Sequence, residues 1–450
     1  MKLSRDKNFY KTLLTLTLTI ALQNVVVNGV GLADNIMLGG YSEDALSGVS
    51  LANQIQFLLQ MVVMGMGEGL IIIGSQYWGK RQIEPIKKII NIGLIFAMAV
   101  SVLFFVVIAS APHWALSLFT NDEDVIAEGV IYLRIICYSY FFFCLTNTLL
   151  NGLKAVETVK IGLGISIMTL FVNIALNYCL IYGHFGFPAM GTAGAAIATL
   201  IARILESVVV VVYYLKVDKK LGYRLRDLKL LDKGLLRDYV RVGTPVMVSN
   251  AMWGTAMGIQ ASILGHLGGP TIAANAIAAN IFNIISVAAY GCSGASSVVI
   301  GKTIGSNAPM EKIREYVRTM QVIFLCIGVV SGAALYLARD AVISLFSVAG
   351  ETLTLAREFT DVLCVTLVGT SYQVACLTGI VRGGGDTRFV LINDFIFMWL
   401  IVLPLSAMAA FWWNLAPVWV FLCLKCDQVL KCFVAVVKVN SYNWVRRLTR

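Results

Sequence analysis

The chain has 450 residues, is 58% hydrophobic and 13% charged, and has a mean hydropathy of +0.80. A soluble domain carries about 25% charged residues, so this composition excludes a soluble globular protein and implies an integral membrane protein. The net charge of +10 would suit a nucleic-acid binder, but the basic residues are scattered over short segments between apolar runs. That scatter marks them as topology signals and excludes a nucleic-acid partner.

Apolar runs of helix length fall at about 12–39, 47–76, 89–112, 130–151, 160–182, 192–215, 242–265, 272–300, 317–338, 359–380, 389–410 and 416–437. None shows the alternation of a membrane barrel strand. The expectation is an all-α polytopic membrane protein of twelve transmembrane helices. Lys2, Arg5, Lys7 and Lys11 precede the first run, and Lys80, Arg81, Lys87 and Lys88 follow the second. Lys154 and Lys160 flank the link after the fourth run, and nine Lys or Arg lie in the link Lys216 to Arg241. Lys302, Lys312, Arg314 and Arg318 follow the eighth run, Arg382 and Arg388 the tenth, and Lys438, Arg446, Arg447 and Arg450 close the chain. With twelve spans all these segments share one side, which the positive-inside rule makes cytoplasmic. Both termini are then expected inside, in a bacterial inner membrane. The first run is too long for a signal-peptide core and lacks a small-residue cleavage site. The ten cysteines lie mostly within the runs and read as small hydrophobes.

The sequence repeats at a shift of about 227 residues. NIMLG at Asn35–Gly39 matches ASILG at Ala261–Gly265, Ala52-Asn53 matches Ala279-Asn280, and GSQYWGK at Gly74–Lys80 matches GKTIGSN at Gly301–Asn307. LFT at Leu118–Thr120 matches LFS at Leu345–Ser347, and LNGLKAVETVK at Leu150–Lys160 matches LTGIVRGGGDTR at Leu377–Arg388 with one gap. Each half holds six runs, so both halves enter the membrane from the same side, as in parallel-repeat transporters. The expected organisation is an N-terminal six-helix bundle over 1–215, a basic cytoplasmic linker over 216–241 and a C-terminal six-helix bundle over 242–450. LLDKGLLRDYV in the linker is expected to lie as an amphipathic helix on the anionic inner leaflet.

Asp34 stands near the end of a run, Thr12 to Gly40, that is otherwise uncharged. A carboxylate inside a span is unfavourable by roughly 2.5–3.5 kcal/mol, so it is a functional hypothesis by default. A carboxyl withdrawn from water binds a proton more readily than one in solution. The repeat pairs Asp34 with Gln260, and Asn173 and Asn177 with positions near Val402 and Ser406. One half is therefore ionisable where the other is neutral, which assigns ion coupling to the N-terminal half. Asn173 and Asn177 are spaced to share one helix face at a depth similar to that of Asp34. Glu68, among the glycines of MGMGEGLIIIG, has two open readings: attraction of a cationic substrate, or pairing with a neighbouring donor. Gln54, Thr199 and Gln260 complete the candidate substrate contacts.

Arg203 and Glu206 are expected to form a local ion pair, and Lys425, Asp427 and Lys431 a structural cluster. Asp394 is expected to meet interfacial water, and Asp386 with Thr387 to cap the eleventh helix. The three histidines, His113, His184 and His266, all fall near links, and no zinc-protease, serine-nucleophile or metal-ligand pattern occurs. The chain is therefore not expected to be an enzyme and needs no cofactor beyond a coupling ion.

ADNIMLG, GSQYWGK, GAAIATLIAR and TGIVRGGGDTR, set in a six-plus-six repeat, resemble the multidrug and toxic compound extrusion (MATE) transporters over nearly the whole chain. The final stretch PVWVFLCLKCDQVLK is similar to the twelfth span of bacterial members. The resemblance implies export of small cationic, amphipathic organic compounds in exchange for H⁺ or Na⁺, by a monomer in the lipid bilayer. In that family an acid in the first span couples transport to the ion, and Asp34 occupies the matching position. The matching fifth-span partners are Asn173 and Asn177, where many proton-coupled members have a second acid. Some sodium-coupled relatives carry acids in the seventh and tenth spans. This chain has none in TPVMVSNAMWGTAM, and Ser371 stands where the tenth-span acid would align. The alternative is a flippase for lipid-linked sugars of the same broad superfamily.

Overall fold

A computed structural model describes residues 3–344, 346 and 350–450. Lys2 and most of the Leu345–Ser347 repeat match lie outside the described residues. Seventeen α-helices account for most of the chain, and no strand occurs among the described residues. In the first half they are α1 (Lys7–Gly39), α2 (Glu43–Gly79), α3 (Ile83–Ser110), a short α4 (Pro112–Ser117), α5 (Glu123–Ile136), α6 (Ser139–Ala155), α7 (Lys160–Tyr182) and α8 (Gly191–Val212). In the second half they are α9 (Lys233–Gly265), α10 (Gly269–Ile285), α11 (Val287–Gly305), α12 (Met310–Ile343), α13 (Gly350–Val374), α14 (Thr387–Asp394), α15 (Leu403–Ala407), α16 (Pro417–Lys425) and α17 (Asp427–Ser441).

Among the described residues, eight helical stretches are long and apolar enough to span a membrane alone. Two bent pairs, α5–α6 at 55° and α10–α11 at 41°, make ten. The other two of the twelve spans are α9 and α16–α17. Their polar content accounts for their lower apolarity: the apolar run of α9 contains Ser249, Asn250, Thr255 and Gln260, and α17 carries Asp427, Lys431 and Lys438. The fold is thus all-α, with six spans per half. Wider, π-helical winding interrupts the last third of the chain at Ala375–Val381, Phe395–Val402 and Met408–Trp412.

The packing divides the chain into two compact units. One comprises Met1–Ala21, Ser75–Arg81 and Val248–Arg450, and the other Leu22–Gly74 and Gln82–Met247. Three long helices therefore change unit along their length. In α9 the change falls two residues after Pro245, which interrupts the helical hydrogen-bond ladder.

In the first unit, the end of α2 lies against α11 through residues without side chains. A methyl at Gly301 would meet the Ser75 side chain, one at Gly305 the Gln76 carbonyl, and one at Gly79 the Lys302 carbonyl. Gln76 also binds the C-terminal tail twice, donating to the Arg446 carbonyl at 3.0 Å and accepting from the Leu448 amide at 2.8 Å. Its main core joins α10, α13, α16 and neighbouring turns around Phe359 and Phe421. In the second unit the core gathers α2, α5, α6 and α8 around Leu59, Leu133 and Tyr140. There α9 approaches α2 closely, Gly65 facing Met247 and Gly69 facing Gly243, while the Tyr239 hydroxyl donates to the Met66 carbonyl at 2.9 Å.

Two expectations are corrected here. LLDKGLLRDYV forms no separate surface helix. Its Asp232 caps α9, accepting from the Gly234 and Leu235 amides at 2.8 and 3.0 Å, and the helix then runs unbroken into the span. Asp386 precedes α14 but makes no side-chain cap. Instead its carboxylate takes Lys438 at 2.8 Å and Arg446 at 3.3 Å, because the turn through Gly385 (φ 101°) presents it to the tail.

The linker before α9 is pinned to α3. Asn91 donates to the Asp227 and Leu230 carbonyls at 2.6 and 2.9 Å, and Lys87 meets the Asp227 carboxylate at 2.7 Å. The Lys87 hydrogen bond holds the Asp227 carboxyl below its ordinary value of 3.8. A lowered folded-state value stabilises the docked linker fully above the free carboxylate's titration and less as pH falls through the folded value. Linker docking is therefore expected to persist at pH 5 and above and to weaken below roughly pH 4. Hydrogen exchange of 219–230 reads this directly, and unchanged protection at pH 3 contradicts it. Gly305→Ala is expected to destabilise the purified protein by about 1–3 kcal/mol through overpacking. Gly29→Ala, with no atom within 4 Å of the added methyl, is expected to be neutral or stabilising by up to about 1 kcal/mol. Thermal unfolding in detergent measures both.

Candidate functional site

Asp34, Asn173, Asn177 and Thr199 all belong to the second unit. Asp34 lies in the last turns of α1, and the two asparagines lie four residues apart on α7. Asn177 Nδ2 donates to Asp34 Oδ1 at 2.5 Å and to Asn173 Oδ1 at 3.2 Å. Asn173 Nδ2 then donates to Thr199 Oγ1 of α8 at 3.3 Å. A continuous chain of polar atoms thus joins three helices. Asn173 and Asn177 are 1% and 0% exposed, and Asp34 is half-buried. Tyr182 of α7 adds a second tie to α1, its hydroxyl donating to the Met37 carbonyl at 2.6 Å. Tyr132 of α5 is buried beside Thr199.

One atom in this chain is unmet. Asn177 Oδ1 is buried and accepts no hydrogen bond. A buried orphan acceptor beside a carboxylate requires an explanation. The two amides of α7, the Thr199 hydroxyl and the Asp34 carboxylate together offer only oxygens to a small hard cation, or neutral partners to a proton-bearing carboxyl. No group of three or more His, Cys, Asp or Glu able to hold a metal occurs among the described residues. Arg203, one turn beyond Thr199, pairs with Glu206 at 2.9 Å and lies over the Phe143 ring at 5.0 Å, and it reaches Asp34 as a longer-range charge.

The remaining candidates are placed apart from this chain. Glu68 is half-buried in α2, and its charge acts on the Lys154 ammonium of α6. Gln54 is exposed. Gln260, the counterpart of Asp34 in the repeat, is 5% exposed, belongs to the first unit and donates only to the Met398 thioether at 3.2 Å. Thr199 joins the Asp34 chain through Asn173.

A second polar centre lies in the first unit, of which sequence reasoning found only the Asp427–Lys431 part. Asp394 keeps part of its side chain exposed but is also ion-paired. Its carboxylate takes Lys431 at 3.0 Å, the Ser249 hydroxyl at 2.6 Å and Arg382 at 3.7 Å. Lys431 also reaches Asp427 at 3.5 Å, and Gln428 donates to both Asp427 oxygens at 3.0 and 3.1 Å. Arg382 and Asp394 lie 12 residues apart in sequence at the edges of two π-helical stretches. That winding rotates them onto a common partner, and the sequence carried no sign of it. Every acid here has a counter-cation, so neutralising one would strand buried charge at about 3–5 kcal/mol. Asp34 is held by neutral amides, and losing its charge strands nothing.

The MatE family model matches residues 19–179 and 245–408. A probable multidrug resistance protein NorM from Thermotoga maritima is 24% identical, over 98% of this chain and 94% of its own. An uncharacterized transporter, YisQ, from Bacillus subtilis is also 24% identical, over 99% and 97%. Among solved structures, an outward-facing multidrug resistance MATE transporter of the MOP superfamily superposes with a TM-score of 0.86 at 19% identity, covering 98% of this chain and 99% of that one. A MOP superfamily transporter from Pyrococcus furiosus, described as having a binding pocket of reversed polarity, gives 0.85 at 19% identity over the same shares.

Asn177→Ala is expected to slow transport about tenfold, since one hydrogen bond to a charged group contributes roughly 1.5 kcal/mol. Thr199→Val, which breaks the chain two links from the carboxylate, is expected to slow it by about threefold or less. Dye efflux from proteoliposomes gives both rates, and a larger loss in Thr199→Val than in Asn177→Ala contradicts the order of contacts.

Proposed function

The chain belongs to the MatE family of membrane transporters, and on that premise we propose that it is an H⁺- or Na⁺-coupled antiporter that exports cationic amphipathic organic compounds by alternating access. The observation that carries this reading is the Asp34–Asn177 contact with its unmet neighbouring oxygen, Asn177 Oδ1. A carboxylate held by dipoles can be neutralised by a proton or a small cation and released again in each cycle. A carboxylate held by a lysine cannot do so at comparable cost. The charge distribution further supports a bacterial inner-membrane location with both termini in the cytoplasm.

The acids of the N-terminal half favour organic cations as cargo over the lipid-linked sugars of a flippase, whose pyrophosphate calls for a cationic cleft. In proteoliposomes, a pH gradient and a Na⁺ gradient imposed separately distinguish the two coupling ions. Asp34→Asn is expected to reduce gradient-driven efflux of a cationic fluorophore at least tenfold at unchanged protein level. Efflux at the wild-type rate in that variant overturns the assignment.

A further inference from the structure

The linker before α9 carries a surface that the transport reading leaves unused. Leu225–Lys229 forms a short 3₁₀ helix. With three residues per turn, positions three apart stack on one face. Asp227 and Leu230 share the face turned to α3, where their carbonyls accept from Asn91 and the Asp227 carboxylate takes Lys87. Leu225, Leu228 and Leu231 share a second face and are 67%, 48% and 57% exposed. Arg226 and Lys229 share the third and are exposed as well. Among the described residues neither makes an ion pair, and Arg226 reaches Asp227 only as a longer-range charge. The acids of the stretch are turned inward, Asp227 onto Lys87 and Asp232 onto the amides that open α9.

Three exposed leucines in a row on a short link call for a covering phase. Their depth supplies it. α3 is a peripheral span, with 28% of its apolar window buried. Asn91 lies two residues into the apolar run 89–112, so the linker docks at the level where hydrocarbon begins. One turn further along the side of α3 that carries Asn91, Ile95 is 53% exposed, and Val102 and Val106 follow it, also exposed. The stripe of α3 that the linker covers is therefore the one that continues along the lipid. Leucines at that level reach acyl chains, and Arg226 and Lys229 beside them reach phosphates on their long stems.

We propose that Leu225, Leu228 and Leu231, together with Arg226 and Lys229, form a docking surface for anionic phospholipid in the adjoining leaflet. Charge complementarity selects this occupant: an apolar face bordered by two unpaired cations fits an acidic headgroup above its acyl chains. The surface is already held in shape by α3, so little order has to be imposed when lipid meets it. Because the linker joins α8 to α9, the docking makes the connection between the two halves sensitive to lipid composition. Assigning the leaflet to the cytoplasmic side rests on the sidedness given under the proposed function.

The test uses the full-length protein with a fluorescent amino acid in place of Leu228, in nanodiscs that contain a lipid spin-labelled near the top of its acyl chain. Discs of phosphatidylcholine are compared with discs in which about a third of the lipid is phosphatidylglycerol. Quenching is expected to be at least about threefold stronger with phosphatidylglycerol. Arg226→Gln with Lys229→Gln is expected to bring the two discs within about 1.5-fold of each other, and Leu225→Ser with Leu231→Ser to weaken quenching in both. All four side chains are exposed, so these variants are expected to unfold at the wild-type temperature. Quenching that ignores phosphatidylglycerol, a charge variant that keeps the full dependence, or a leucine variant quenched as strongly as the parent overturns the docking surface. The two faces of a disc are alike, so this readout depends neither on sidedness nor on transport. An alkaline phosphatase fused after Arg450 tests sidedness by itself: activity in intact cells removes the cytoplasmic placement and leaves the lipid docking standing.

Discussion

A charge inside a bilayer has no water to fall back on, and that constraint organises the polar interior of this protein. Each such group is unfavourable by roughly 2.5–3.5 kcal/mol unless the protein supplies partners. Two kinds of partner are used. In the second unit Asp34 meets amide dipoles, with Asn177 at 2.5 Å and Asn173 behind it. In the first unit Asp394 meets full counter-charges, Lys431 at 3.0 Å and Arg382 at 3.7 Å. The difference is one of reversibility. Dipoles tolerate either charge state of the acid they hold, whereas a buried lysine left without its acid is strongly destabilising. On the proposed function, charge change falls to Asp34, while the ion-paired Asp394 ties helices together.

The same constraint explains where side chains are missing. With lipid outside, helices gain little from apolar association and rely on close backbone approach instead. Gly65 and Gly69 against α9, and Gly79, Gly301 and Gly305 at the α2–α11 contact, bring backbones within reach of one another. The polar ties then lie at these close approaches, as with Tyr239 on the Met66 carbonyl and Gln76 on the C-terminal tail. Three helices pass from one compact unit to the other, so each unit borrows segments from the opposite half of the sequence.

Much of the architecture was legible because apolar length and the side preference of Lys and Arg are local properties. Each apolar run falls on a helix or broken helix, although many helices begin five to nine residues earlier than their runs, and the six-plus-six arrangement follows from counting runs. Asp34 was legible for the same reason: one acid in an uncharged run is visible without any neighbour. The i,i+4 spacing of Asn173 and Asn177 placed them on one face. That their face meets α1 was indicated only by depth and by the family resemblance, and the structure supplies the contact itself. The Asp394 centre could not be read, since Ser249, Arg382, Asp394 and Lys431 come from four separate stretches and π-helical winding changes which way two of them point.

Composition and pattern alone determined that this chain crosses a membrane in two matching sets of six helices and carries one conspicuous acid in the first of them. Those facts depend on residues close together in sequence. Only the tertiary structure decided which charges are neutralised by a partner and which are held by dipoles. Pairing depends on which helix faces abut, and that is set by glycine contacts and helix winding summed over the whole chain.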